Sequence, residues 1–161
     1  IISANDEEIT LNVSQNQINV AGSVFSFTSK LIEGNYPDYE KVFPVGDESK
    51  LIVDKNEFNT ALSRASVLSN EKYRGIRLSL NKDLLKIEAN NPEKESAEEE
   101  IKVDYSGPEL EIGFNISYLQ ESLTTIKDLS AEIVFFGQES SCIVKNKENE
   151  DLIHVIMPMR L

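Results

Sequence analysis

An α+β fold, with two helices backed by antiparallel sheets, is what the order of apolar periods in this chain predicts. From Leu51 onward the pattern runs β-α-βββ-β-α-βββ, one half-unit used twice. Two segments switch to helical period, and the other apolar segments alternate with period two. A repeat of this kind predicts pseudo-two-fold symmetry, with the helices side by side and each sheet burying its apolar face against a helix stripe.

The elements follow in order. Ile9, Leu11 and Val13 alternate with polar residues, and Gln15-Asn16-Gln17 turns the chain. Ile18 and Val20 alternate next, Ala21-Gly22-Ser23 turns again, and Val24, Phe25 and Phe27 complete a three-strand meander with one apolar face. The stretch 33–50 is charged and carries two prolines and two glycines, so it reads as a linker or domain boundary. Leu51-Ile52-Val53 is a short strand. Phe58, Ala61, Leu62, Ala65 and Leu68 then share one face of a helix over 54–69, with Asp54 as its N-cap. Ile76, Leu78 and Leu80 form a strand, Asn81-Lys82-Asp83 a turn, and 84–89 a further strand. The polar, acidic stretch 90–100 reads as a loop before a strand at Ile101, Val103 and Tyr105. Gly107-Pro108 breaks the chain before a strand at Leu110, Ile112 and Phe114. Ser117 opens a second helix, with Gln120 completing a capping box and Leu119, Leu123 and Ile126 on its apolar face. Strands at 132–136, 141–145 and 152–157 close the chain.

Composition narrows the function. The 161 residues carry 16 Lys+Arg and 28 Asp+Glu, a net charge of −12, which argues against a protein that grips nucleic acid over its whole surface. The balance is local, however. Residues 55–77 are net positive (Lys55, Arg64, Lys72, Arg74 and Arg77 against Glu57 and Glu71), while every other segment is net negative. A positive helix of this sort is either a solvated face or a phosphate-facing one. The run 93–100, EKESAEEE, is either a solvated loop or a partner surface with a basic complement.

Chemistry is sparse. One cysteine, Cys142, excludes an intrachain disulfide framework and fits a reducing, cytoplasmic compartment. Cys142 reads as a small buried hydrophobe, and the single histidine, His154, as a sheet-face side chain. There is no glycine-rich phosphate loop and no metal-ligand spacing, so no cofactor or metal is expected. Carboxylates are plentiful, but abundance alone does not make a two-carboxylate catalytic pair. No run reaches the roughly 18 apolar residues of a membrane span, and no signal peptide is expected. Ile1 in place of Met leads to the expectation of a piece of a longer protein. Two features stand out: an apolar C-terminus, Val155 to Leu161 with two Met and Pro158, and exposed aromatics in Tyr36-Pro37-Asp38-Tyr39. Methionine-rich apolar surface is adaptable binding surface.

Five separated motifs, in order, resemble the bacterial DNA polymerase III β subunit family, the β sliding clamps. They are Ser29 to Tyr39 (SKLIEGNYPDY), Leu68 to Leu78 (LSNEKYRGIRL), Ala89 to Glu93 (ANNPE), Glu111 to Leu119 (EIGFNISYL) and the terminal VIMPMRL. The resemblance covers essentially the whole chain but only the C-terminal part of the family's three-domain subunit. It implies a DNA-clamp fold in which 1–44 end the middle domain, 45–50 are a linker, and 51–161 are the third domain. It also implies a non-catalytic processivity factor: a head-to-tail homodimeric ring that threads double-stranded DNA without regard to sequence. An ATP-driven clamp loader places such rings, and polymerase and repair proteins dock on them through short linear motifs. A stand-alone β-rich interaction module is the alternative reading.

Carried over residue by residue, the resemblance implies a partner-peptide pocket of Pro37, Lys41, Val42, Asn115, Tyr118, Ser141, Val155, Met157, Pro158, Met159, Arg160 and Leu161. The family often has Arg where Lys41 stands and an apolar residue where Glu139 stands, so peptide preference is expected to differ. The ring interface matches Val67 and Leu68, flanked by Glu93, Glu95, Glu98 and Glu99. Charge and helix position add Lys55, Arg64, Lys72, Arg74, Arg77 and Lys127 as DNA-facing candidates. With the first domain and most of the middle domain absent, these 161 residues alone are not expected to close a ring.

Overall fold

The computed structural model describes residues 8–36, 38–147 and 152–160. The chain divides into two compact units, Ile1–Asp38 and Tyr39–Leu161.

The first unit is the expected meander: β1 (Thr10–Val13), β2 (Gln17–Ala21) and β3 (Ser26–Lys30), antiparallel in that order. The register sets Leu11 against Val20, Val13 against Ile18 and Val20 against Phe27, which puts the apolar residues on one face. The third strand starts later than the alternation suggests. Val24 and Phe25 lie in the preceding turn, closed by Gly22 N–H to the Phe25 carbonyl at 3.0 Å. A Cβ on Gly22 would stand 2.4 Å from the Phe25 ring, so only glycine lets that ring fold back over the turn.

The second unit carries both helices and two sheets, and is α+β as expected. Its strands are β4 (Ser49–Asp54), β5 (Gly75–Asn81), β6 (Leu84–Asn90), β7 (Ser96–Lys102), β8 (Asp104–Tyr105), β9 (Leu110–Asn115), β10 (Ser130–Phe135), β11 (Cys142–Asn146) and β12 (Ile153–Ile156). One sheet has the order β12-β11-β10-β4-β8 and the other β7-β6-β5-β9. The half-units exchange their leading strands. β4, from the first half, pairs with β10 of the second, and β9, from the second, pairs with β5 of the first.

Helix α1 (Lys55–Ser66) begins where the cap is expected: Asp54 Oδ1 accepts from Glu57 N–H at 2.8 Å. Phe58, Ala61, Leu62 and Ala65 are buried on one face. Helix α2 (Ile116–Thr125) corrects the expected start. Asn115, not Ser117, is the N-cap and accepts from Ser117 N–H at 2.8 Å. Gln120 does not close a capping box. Its amide donates across to α1, to Ser63 Oγ at 3.0 Å and Asn59 Oδ1 at 3.3 Å. The Asn side chain reaches the first free N–H groups as well as Ser does, which is why the box pattern mislocated the cap.

The acidic stretch is the second correction. Residues 91–95 make a turn, with Asn91 Oδ1 accepting from Glu95 N–H at 2.9 Å, but Ser96–Lys102 is β7, an edge strand. Its alternation is masked because Glu99 occupies a core-side position between Ala97 and Ile101. Arg64 from α1 satisfies it, with Nε and Nη2 donating at 2.8 and 2.6 Å. On the other face Lys86 bridges Glu88 and Glu98 at 3.2 and 3.0 Å. Charge on an edge strand also discourages pairing with other chains. Val103 is where the chain changes sheets, its N–H donating to the Asp83 carbonyl at 3.2 Å.

The core lies between the helices and the two sheets. Phe114 of β9 and Phe135 of β10 meet across the sheets with ring centroids 6.4 Å apart. Tyr105, fully buried, donates its hydroxyl to the Pro108 carbonyl at 2.6 Å. A Cβ on Gly107 would stand 2.6 Å from that hydroxyl, which explains the Gly-Pro break. Burial pushes the Cys142 thiol up to about 12, against about 8.5 in an unfolded chain. The native thiol thus stays protonated where the unfolded one ionises, and this group's contribution to stability falls as pH rises above about 8.5. At pH 8 a disulfide reagent is expected to leave native Cys142 unlabelled and to titrate one thiol in denaturant; rapid native labelling would contradict the burial.

Candidate functional site

The C-terminal tail builds the most distinctive surface. β12 ends at Ile156, and Pro158, lacking an N–H, cannot extend strand pairing. The tail instead crosses to the other sheet, where Met159 N–H donates to the Gly113 carbonyl of β9 at 2.9 Å. This leaves Met157 70% exposed, with Pro158 and Met159 half-buried. A cavity of about 250 Å³ opens here, lined by Ser141 and Met157 to Arg160 together with Gln138 and Glu139.

Of the expected pocket residues, Ser141, Met157, Pro158, Met159 and Arg160 therefore share one cavity. Asn115 and Tyr118 stand at the start of α2 and do not line it. Asn115 serves two elements at once. Besides capping α2, its Nδ2 donates to the Tyr73 carbonyl at 3.1 Å. Arg74, held at φ +47, donates from Nη1 to Ser117 Oγ at 3.2 Å, and its carbonyl accepts from Ile116 N–H at 2.9 Å. These bonds join the 70–75 loop to α2 and leave Tyr118 57% exposed. Val155 lies half-buried in β12 opposite Ile143. Lys41 and Val42 sit in a short 3-10 turn, Tyr39–Val42, both exposed. Pro37 and Leu161 lie outside the described residues. Gln138 is absent from the sequence-based set; its only sequence signal is the Gly137-Gln138 turn between two strands, with Gly137 at φ +113.

The ring-interface candidates occupy one end of α1 and the β6–β7 region. Val67 is 77% exposed and Leu68 half-buried. Glu93, Glu95 and Glu98 are exposed, Glu95 bonded to Asn91 and Glu98 to Lys86. Glu99 joins Arg64, a member of the DNA-facing set. That hydrogen bond holds the Glu99 carboxyl below the usual carboxylate range and raises Arg64.

The six cationic candidates do not form one cluster. Lys55 donates to the Ile126 carbonyl at 3.0 Å, just beyond the C-terminal turn of α2, where a cation complements the helix dipole. Lys72 stands 5.2 Å over the Tyr73 ring. Arg77 is on β5, in the strand expected at Ile76 to Leu80, and pairs with Glu111 at 3.3 Å. Lys127 is exposed beside a hollow of about 420 Å³ that it lines with Lys147 and Leu129. α2 itself contains no Lys or Arg. His154 shares a hydrogen bond of 2.6 Å with Thr125 at the end of α2. Among the described residues, no group of three or more His, Cys, Asp or Glu side chains is arranged to hold a metal ion. Among the described residues, no helix is long and apolar enough to cross a membrane.

Two helices from a repeated β-α-βββ unit and two interlocked sheets define a clamp-type domain. The chain belongs to the DNA polymerase III β subunit family: residues 40–160 match the model of that family's C-terminal domain. The β sliding clamp of Pseudomonas aeruginosa is 45% identical over 161 residues, and that of Escherichia coli K12 is 38% identical over 161. Both alignments cover 100% of this chain and 44% of the relative, so the chain spans less than half the length of these relatives. The crystal structure of the P. aeruginosa DNA polymerase III subunit beta superposes with a TM-score of 0.88 at 46% identity, covering 95% of this chain and 42% of that one. The P. aeruginosa clamp bound to griselimycin gives 0.85 at 46% identity over the same shares. The Caulobacter crescentus subunit gives 0.87 at 32%, covering 95% and 41%.

Proposed function

We propose that this chain is the C-terminal segment of a sliding clamp, a non-catalytic processivity factor of DNA replication. Residues 1–44 would end a middle domain, 45–50 link, and 51–161 form the third domain. In the whole subunit, two copies close head to tail around double-stranded DNA. Polymerase, clamp loader and repair proteins then dock through short motifs, which makes their rebinding intramolecular. Attachment is topological, which suits helices with few free cations: Lys55 and Arg64 of α1 are already hydrogen-bonded within the domain.

The observation that carries the reading is the tail. An apolar C-terminus held by Met159 N–H on β9, with Met157 left exposed beside a cavity, supports a surface made to be covered by a partner's apolar anchors. Removing Met159 to Leu161 is expected to weaken binding of a fluorescent clamp-binding pentapeptide by about thirtyfold or more, the loss of one strong anchor site worth roughly 2 kcal/mol. Fluorescence anisotropy reads the change; an unaltered Kd rejects the pocket.

A further inference from the structure

We infer that the docking surface does not end at the tail but continues along the open edge of β9, where it takes the basic residues flanking a partner's motif as an added strand. The inference rests on the pocket proposed above. β9 is the last strand of its sheet, paired on one side only, with β5. Its Gly113 carbonyl points away from β5, since it accepts from Met159. In an antiparallel pair such outward groups recur every second residue, so the N–H and C=O of Glu111 face the same open edge. An edge of this kind is a template for an extended peptide.

The space beside this edge is continuous. A cavity of about 380 Å³ lies along Glu111 to Gly113, and one of about 280 Å³ along Glu109 to Glu111, both walled by Gln138. The first also shares Glu139, Met159 and Arg160 with the tail cavity. The trough thus runs from the apolar anchor site past Gly113 to Glu109, about 13 Å of strand at 3.3 Å per residue.

Charge selects the occupant. At the tail end Glu139 and Arg160 balance. At the far end Glu109 and Glu111 share the lining with no cation, and Arg77, which lines the cavity nearer the tail, already pairs with Glu111 at 3.3 Å. Glu109 has no ionic partner among the described residues. A Lys or Arg about four positions from the apolar anchor would meet this carboxylate.

The test uses the whole 161-residue chain and fluorescence anisotropy. The probes are the pentapeptide, the pentapeptide extended at either end by Ser-Lys-Ser-Lys, and the same extensions with Glu for Lys. One of the two Lys-flanked peptides is expected to bind about tenfold more tightly than the pentapeptide, and its Glu counterpart is not. N-methylation of the flank amides is expected to remove the gain, and Glu109→Lys to shift preference from the Lys to the Glu flank. If the pentapeptide binds and neither extension gains, or if the gain survives both N-methylation and Glu109→Lys, the trough is overturned and the pocket stands. If the pentapeptide does not bind at all, both fall.

Discussion

Replacing Phe114 by Ala is expected to lower the stability of the second unit by about 3–5 kcal/mol, the range for deleting a buried phenyl ring. Phe114 is fully buried on β9, and its ring meets Phe135 of the other sheet at 6.4 Å. The substitution opens a void between sheets and loses an aromatic pair worth about 1 kcal/mol. It sits beside Gly113, which anchors the tail, and beside the α2 cap Asn115. Urea unfolding followed by circular dichroism gives the number. A midpoint shift equivalent to less than about 1 kcal/mol would mean that the two sheets do not depend on this junction.

Truncating Val67 and Leu68 to Ala in a full-length subunit carrying this segment is expected to raise the dimer dissociation constant roughly a thousandfold. Two apolar anchors at about 2 kcal/mol each give that figure. Val67 is 77% exposed at the end of α1, so its own domain gains little from it. Leu68 is half-buried, and its truncation also touches its own domain. The single variant Val67→Ala separates the two effects, because it should weaken the dimer without lowering the unfolding midpoint. Sedimentation velocity at falling concentration reads the result, and a dimer persisting at nanomolar concentration rejects the interface.

Much of the fold was legible because the apolar residues keep strict periods. Ile76, Leu78 and Leu80 are all buried on β5, and Phe58, Ala61, Leu62 and Ala65 on α1. Two of the failures share a cause: a polar group in a core-side or capping pattern whose partner comes from elsewhere in the chain. Glu99 broke the alternation of β7 because its partner, Arg64, lies on α1. Gln120 resembled a capping residue but serves α1 through Ser63. The candidate site was partly legible. The oddity of an apolar tail is visible in Val155 to Leu161, whereas the bond from Met159 to Gly113, and hence the route of the tail, depends on two segments far apart in sequence. Charge counting alone does not reveal which cations are already engaged: Lys55 donates to the Ile126 carbonyl and Arg77 pairs with Glu111.

The strand exchange between half-units also sets an order of events during synthesis. Leu51 finds its neighbour in Ile133, and Ile76 finds one in Phe114. When β4, α1 and β5 to β7 have left the ribosome, β4 still lacks β10, and β5 presents an unpaired edge. Contacts this remote close slowly, and open edges left waiting invite association with other chains. The nascent first half therefore keeps its strand edges open until the second half is made. An interruption before β10 would leave β4 without its neighbour and the second unit with an unfinished sheet. The tail depends on the same joining: Met159 rests on Gly113 of β9, a strand that is itself in place only after the two halves have joined.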